Sequence, residues 1–162
     1  MRSKIDFQPK SLRQRALDYL GKREYSYFEL AQKLKPYAEE TDENPATEQI
    51  AAILDDFKTR GWLSDARFTE MLVHARKTKF GSAKVANELR EKGVADELIS
   101  NAIAALKVTE FENAREICRK KYKASPTSRE DWAKQARFLQ SRGFGFDVIK
   151  KVLNSTNDED NL

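Results

Sequence analysis

Apolar residues recur along this chain at spacings of three and four, with charged residues between them. The rows are Leu12, Ala16, Tyr19; Ala31, Leu34; Ile50, Ile53, Leu54, Phe57; Phe68, Met71, Leu72, Ala75; Val85, Ala86, Leu89; Leu98, Ile99, Ala102, Ile103, Leu106; Phe111, Ala114, Cys118, Tyr122; Trp132, Ala136, Leu139; and Ile149, Val152, Leu153. A helix turns about 100° per residue, so each row becomes one apolar stripe, whereas a strand would alternate at period two. The pattern predicts an all-α chain with negligible strand, cut into nine short amphipathic helices.

Start and stop signals divide the rows. Ser26-Tyr27-Phe28-Glu29, Thr109-Glu110-Phe111-Glu112 and Thr127-Ser128-Arg129-Glu130 have the form of a capping box, in which the two polar side chains satisfy unpaired N–H groups of the first turn. Asn44-Pro45 reads as an N-cap followed by the proline that a first helical turn accepts, and Ser64 and Ser82 are weaker starts. Gly61, Gly93 and Gly143 each follow a helical stretch and suit a left-handed C-terminal cap.

The chain also repeats itself. At an offset of fifty, Ala86 and Leu89 fall on Ala136 and Leu139, Gly93 on Gly143, Leu98-Ile99 on Val148-Ile149, and Ala102-Ile103 on Val152-Leu153. The first third fits with Leu34 matching Leu89 and Ile50 matching Ile99, plus about six extra residues in the acidic stretch from Pro36 to Pro45, which reads as a surface loop. The expected organisation is an N-terminal extension (1–10), three tandem three-helix repeats (11–63, 64–107 and 108–154) and an acidic tail (155–162). Three short helices bury little alone, so neighbouring repeats should share a core in a curved, elongated molecule.

Composition sharpens this picture. Of the residues, 40% are hydrophobic and 35% charged, against a usual charged share of about 25%, and there are only 6 Gly and 4 Pro. Cys118 is the single cysteine, Met1 to Lys10 holds no apolar stretch suited to a signal peptide, and the apolar runs are as short as Ala102 to Leu106. A cytoplasmic protein is expected.

Net charge is +4, but the charge is segregated. Ala38 to Phe57 carries seven acids and no Lys or Arg, while Arg115 to Lys151 carries eleven bases against four acids. Such a basic third favours a polyanionic partner. The candidate binding residues are Lys120, Lys121, Lys123, Arg129, Lys134, Arg137, Arg142, Lys150 and Lys151, with Arg76, Lys77, Lys79 and Lys84 from the preceding repeat. Trp62, Trp132, Phe138, Phe144 and Phe146 should mostly pack between repeats. Phe144 and Phe146, flanking Gly145 beside Arg142, are the best candidates for exposed contacts.

Catalytic machinery is not visible. No glycine is followed five residues later by Gly-Lys-Ser or Gly-Lys-Thr, and Gly143-Phe144-Gly145 lacks a third glycine and follows a helix. One histidine and one cysteine cannot build a Cys/His zinc site. His74 reads as a helix-face residue, Cys118 as a small core residue, and Asp55-Asp56 diverge too far round a helix to share an ion. No enzyme, cofactor or metal is expected.

From Leu12 to Leu153 the chain resembles the RecX family of bacterial recombination regulators. The resemblance rests on Ala16-Leu17-Asp18-Tyr19-Leu20 with Arg23-Glu24-Tyr25-Ser26 and Glu29-Leu30, and on Gly61-Trp62-Leu63-Ser64-Asp65 with Arg67-Phe68. It continues in Phe80-Gly81, in Glu88-Leu89-Arg90-Glu91-Lys92-Gly93-Val94, and in Phe138-Leu139-Gln140-Ser141-Arg142-Gly143-Phe144 leading to Val148-Ile149-Lys150-Lys151-Val152-Leu153. It implies three tandem three-helix repeats and a monomeric partner of the RecA recombinase and its filament on single-stranded DNA. The implied action is to damp ATPase and strand exchange by docking along the filament groove, blocking extension or promoting disassembly. Relatives often carry two adjacent acids after the residue matching Leu63, where this chain has Ser64-Asp65. A helix-turn-helix nucleic-acid-binding module and a helical-repeat protein scaffold are the alternatives. A defined palindromic site would favour the first, and no DNA binding at all the second.

Overall fold

The computed structural model describes residues 8–159, which form eight α-helices and one short 3-10 helix with no strand among them. Residues 1–7 of the expected N-terminal extension and 160–162 of the acidic tail lie outside the described residues. The helices are α1 (Leu12–Leu20), α2 (Tyr27–Leu34), α3 (Ala46–Thr59), α4 (Asp65–Arg76), α5 (Ser82–Glu91), α6 (Asp96–Lys121), α7 (Arg129–Ser141) and α8 (Phe146–Glu159), with the 3-10 turn at Lys35–Tyr37. The chain divides into two compact units, 1–68 and 69–162, and passes from one to the other within α4.

In the first unit α1, α2 and α3 pack pairwise around Ala16, Tyr25, Leu30, Leu34, Ile50, Leu54, Phe57 and Leu63. Each fully buried Leu or Phe contributes about 1.5–3 kcal/mol relative to an exposed one. Ser11 and Ser26 cap α1 and α2, their Oγ atoms accepting the N–H groups of Gln14 and Glu29 at 3.1 Å. The Asp65 carboxylate accepts the Tyr27 N–H at 2.8 Å, satisfying a further donor at the start of α2. Pro45, rather than Asn44, occupies the cap position of α3, and the Asn44 carbonyl instead accepts the Gln49 side-chain amide at 2.8 Å.

The second unit departs from nine short helices. The expected third helix of the middle repeat and first helix of the last are one continuous 26-residue helix, α6. Thr109 does not start a helix: its hydroxyl donates backward to the Leu106 carbonyl at 3.4 Å, and Val108, at the expected boundary, stands 83% exposed mid-helix. No Gly or Pro interrupts 96–121, so nothing stops the helix before Thr109. Glu110 is turned inward instead, and its buried carboxylate accepts the Ser82 N–H at 2.9 Å, capping α5. Ser82 is thus the first helical residue rather than the cap, which is Gly81. At α7 the cap is Ser128, one residue later than the expected box on Thr127, whose hydroxyl donates to the Asp131 carboxylate. Gly61, Gly93 and Gly143 take positive φ as read from the sequence. The last three helices enclose Ala114, Ile117, Cys118, Leu139, Phe144, Ile149, Val152 and Leu153, and α8 runs past Asn154 to Glu159.

Candidate nucleic-acid interface

Within the second unit, the turn between α4 and α5 is stitched to the end of α7 by backbone. Gly81 N–H donates to the Arg142 carbonyl at 2.7 Å, and Ala83 N–H to the Gly143 carbonyl at 3.2 Å. Only glycine fits here. A Cβ on Gly81 would lie 2.4 Å from the Gly143 carbonyl oxygen, and one on Gly143 (φ +90°) 2.6 Å from the Lys84 Cβ. With the Glu110 cap, the stitching accounts for three donors at the start of α5 and fixes Phe80 and Lys84 against Arg142.

A row of alternating cations and rings results. The Lys84 ammonium lies 4.7 Å from the Phe80 ring centroid. The Arg142 guanidinium sits 5.6 Å from Phe80 and 5.3 Å from Phe138, and the Lys121 ammonium 6.0 Å from Phe138. Tyr122 meets Phe138 edge-on at 5.5 Å. Among the described residues, Lys84, Lys121 and Arg142 make no ion pair, so their positive charge is uncompensated by carboxylate. A cation over a ring gains about 0.5–1 kcal/mol at an exposed site, too little to keep it from a phosphate. Rings interleaved with cations have the chemistry a flexible single strand can use, bases stacking on accessible ring faces while phosphates meet the cations.

The other expected residues divide. Arg76 is committed to a forked pair with Glu88 (2.9 and 2.8 Å) that joins α4 to α5 and raises the guanidinium pKa further. Lys120 pairs with Glu116 at 3.6 Å. Lys77 and Lys79 follow α4 just before Phe80, Arg129 and Lys134 stand exposed on α7, and Lys151 is exposed on α8. Lys123 borders a cleft of about 200 Å³ with Arg115, Arg119 and Tyr122 at the end of α6. Arg137 and Lys150 lie by a separate groove at the start of α8, where Lys150 covers Phe146 at 5.5 Å. Phe144 is corrected outright: it is 4% exposed within the core, whereas Phe146 is 62% exposed. His74 is exposed on α4, and Cys118 is buried, its thiol pKa pushed up by desolvation.

The sequence pattern points to neither Phe80 nor Tyr122 as a site residue, and to Phe138 chiefly as a packing one. The signal for Phe80 was its place after the Lys77 and Lys79 bases and before Gly81, but its partner Arg142 is too remote along the chain for any local pattern to show.

Comparison with known proteins points one way. The family description "RecX, second three-helix domain" matches residues 64–103, and "RecX, third three-helix domain" matches 109–153. The chain is 44% identical over 149 residues to the regulatory protein RecX of Leptothrix cholodnii, covering 92% of this chain and 91% of that one. It is 41% identical over 147 residues to that of Herbaspirillum seropedicae, covering 91% and 92%. The crystal structure of RecX from Lactobacillus salivarius shares the fold, with a TM-score of 0.74 at 18% identity over 90% of this chain and 94% of that one.

Proposed function

Because the chain belongs to the RecX family of regulatory proteins, we propose that it binds the RecA recombinase and the filament RecA forms on single-stranded DNA, and inhibits its ATPase and strand exchange. The observation that carries this reading is the row Lys84, Phe80, Arg142, Phe138, Lys121: three cations that make no ion pair among the described residues, interleaved with two rings on a backbone-stitched frame. The stitching keeps the row in register before any ligand arrives, so little ordering cost falls on binding. The cations track strand phosphates and the rings take bases, while the three repeats (11–63, 64–107 and 108–154) supply the surface that docks on recombinase. The protein works as a cytoplasmic monomer by occupancy rather than turnover, and modulates recombination and DNA repair by blocking extension of the filament or promoting its disassembly. No helix among the described residues is long and apolar enough to cross a membrane.

Titration of the purified chain into a RecA ATPase assay on single-stranded DNA tests the reading. ATP hydrolysis should fall as the chain saturates the filament. Hydrolysis unchanged at concentrations where the chain is seen bound would overturn it.

A further inference from the structure

Between α7 and the start of α8 lies a groove of about 390 Å³, away from the cation–ring row. Ala136 and Gln140 line it, while Phe138 and Arg142 of the row fall two residues further on, about 200° round the helix axis. Its walls are Trp132 and Phe146, whose centroids are 6.4 Å apart with planes 75° to each other. The Trp132 indole N–H donates to Asn154 Oδ1 at 3.3 Å, which fixes this ring from α8. Phe146 is left 62% exposed. Arg137 lines the groove and Lys150 lies over Phe146, and neither makes an ion pair among the described residues. Asp147 follows Phe146 but points about 100° away round α8. A Cβ on Gly145, at the mouth, would meet nothing within 4 Å.

We propose that this groove takes an apolar side chain from an acidic segment of a protein partner. Two rings at a right-angled corner enclose a branched or aromatic side chain, but they are not the parallel plates that sandwich a nucleobase. An aromatic groove with an arginine at its edge has the composition of a protein–protein hot spot, which a seated side chain would desolvate. The two uncompensated cations select carboxylates beside the anchoring side chain. The identity of the partner as the recombinase rests on the function proposed above; the chemistry of the groove does not.

The test uses the full chain carrying Trp62→Phe, so that Trp132 is the sole indole. The probes are a short synthetic peptide with one Phe among acidic residues, the same peptide with Ala for Phe, an oligothymidylate, and a RecA filament formed on it. Trp132 emission should respond to the Phe peptide and not to the Ala peptide. Gly145→Leu, which fills the mouth, and Phe146→Ala, which removes a wall, should each weaken the Phe peptide and the filament by about tenfold or more. Both variants should bind bare oligothymidylate and melt as the parent does. A silent Trp132, or filament binding untouched by both variants, would overturn the proposal. Loss of oligothymidylate binding in both would make the occupant a base, and self-association removed by Gly145→Leu would make it a second copy of the chain; either result replaces the proposal. If the parent itself fails to bind the filament while the peptide results hold, the proposed function fails and the groove assignment stands.

Discussion

Arg60 in the first unit and Arg142 in the second stand at the same point of their helices, each the C-cap residue before a glycine of positive φ. Both stack on aromatic rings, Arg60 on Trp62 at 5.1 Å and Arg142 on Phe80 and Phe138. The residue four positions back separates them. For Arg60 it is Asp56, which accepts the guanidinium at 3.0 Å and also holds Arg13 at 2.7 Å. For Arg142 it is Phe138. Arg23 follows the first pattern, stacking on Tyr25 while paired with Glu29, whereas Lys84, Lys121 and Lys150 follow the second. Cation–ring pairs therefore occur throughout. In the first unit Arg13, Arg23 and Arg60 are held by carboxylates, while Arg15 over Tyr37 and Lys33 over Tyr19 are not, among the described residues. In the second the cations of the row and Lys150 make no ion pair among the described residues. A carboxylate exchanged for a ring, one helical turn before a cap, separates an arginine held by an ion pair from one that makes none among the described residues.

The sharpest break of the comparison lies at the two glycines. Gly61 and Gly143 share the left-handed cap, yet an added Cβ meets nothing within 4 Å at Gly61 and lies 2.6 Å from Lys84 Cβ at Gly143. Gly61→Ala should cost only the conformational strain, about 1 kcal/mol. Gly143→Ala adds steric overlap with a backbone-held neighbour and should cost about 3 kcal/mol. Urea unfolding of the two variants would decide; equal losses would show that the stitching of α5 to α7 yields without resistance.

Reversing charge should sharpen it next. Lys84→Glu, Lys121→Glu and Arg142→Glu together should weaken binding to single-stranded DNA by roughly tenfold or more and lower the salt slope by about 0.7 for each phosphate no longer neutralised. Arg13→Glu with Arg60→Glu should leave that slope nearly unchanged, because those charges already face Asp56. Fluorescence anisotropy over a range of salt concentrations reads both sets, and equal slopes would erase the distinction between the units.

Most of the fold was legible, because period and glycine caps are local. Where it was not, a local signal competed with a distant partner. Thr109-Glu110-Phe111-Glu112 has the form of a capping box, but a box starts a helix only if the preceding one ends. Glu110 is instead drawn inward by the Ser82 N–H, 28 positions earlier. For the site, the cations could be counted but not sorted: only tertiary structure reveals that Arg76 is spent on Glu88 while Arg142 faces two rings. Phe144 and Phe146 stand two residues apart on either side of the start of α8, where helical periodicity does not relate them, and the hydrophobic pattern alone did not tell which one entered the core.

Acid should distinguish the units more mildly. Hydrogen bonds from Arg13 and then Arg60 hold the Asp56 carboxyl below its ordinary value of 3.8. A depressed folded pKa gives stability that is present above the unfolded value and lost as pH falls through the folded one. The first unit should therefore weaken on acidification below about pH 4, and Asp56→Asn should flatten that loss while lowering stability slightly at neutral pH. Urea midpoints followed from neutral to acid pH would show it, and a variant with the parent's acid limb would remove Asp56 as the cause.

The smallest effect belongs to the acidic segment 38–44, which the last repeat lacks. Its backbone is held from outside the core: the Gln49 side chain donates to the Glu39 and Asn44 carbonyls at 2.7 and 2.8 Å, and Thr41 bridges Asn44. Tyr37, just before it, is 47% exposed under the Arg15 guanidinium at 3.9 Å, so the segment sends no large side chain into the cluster around Leu34, Ile50 and Leu54. Loop-closure entropy changes only slowly with length, and replacing 39–44 by two glycines removes exposed like charges along with the Gln49 hydrogen bonds. Stability should shift by about 1 kcal/mol or less. The variant should also bind single-stranded DNA at least as tightly as the parent, because the deleted charges repel phosphate. Disappearance of the thermal transition would make the segment part of the first unit's frame. Weaker DNA binding with the fold intact would mean that the first unit touches the strand after all, and the division between the units would have to be redrawn at that loop.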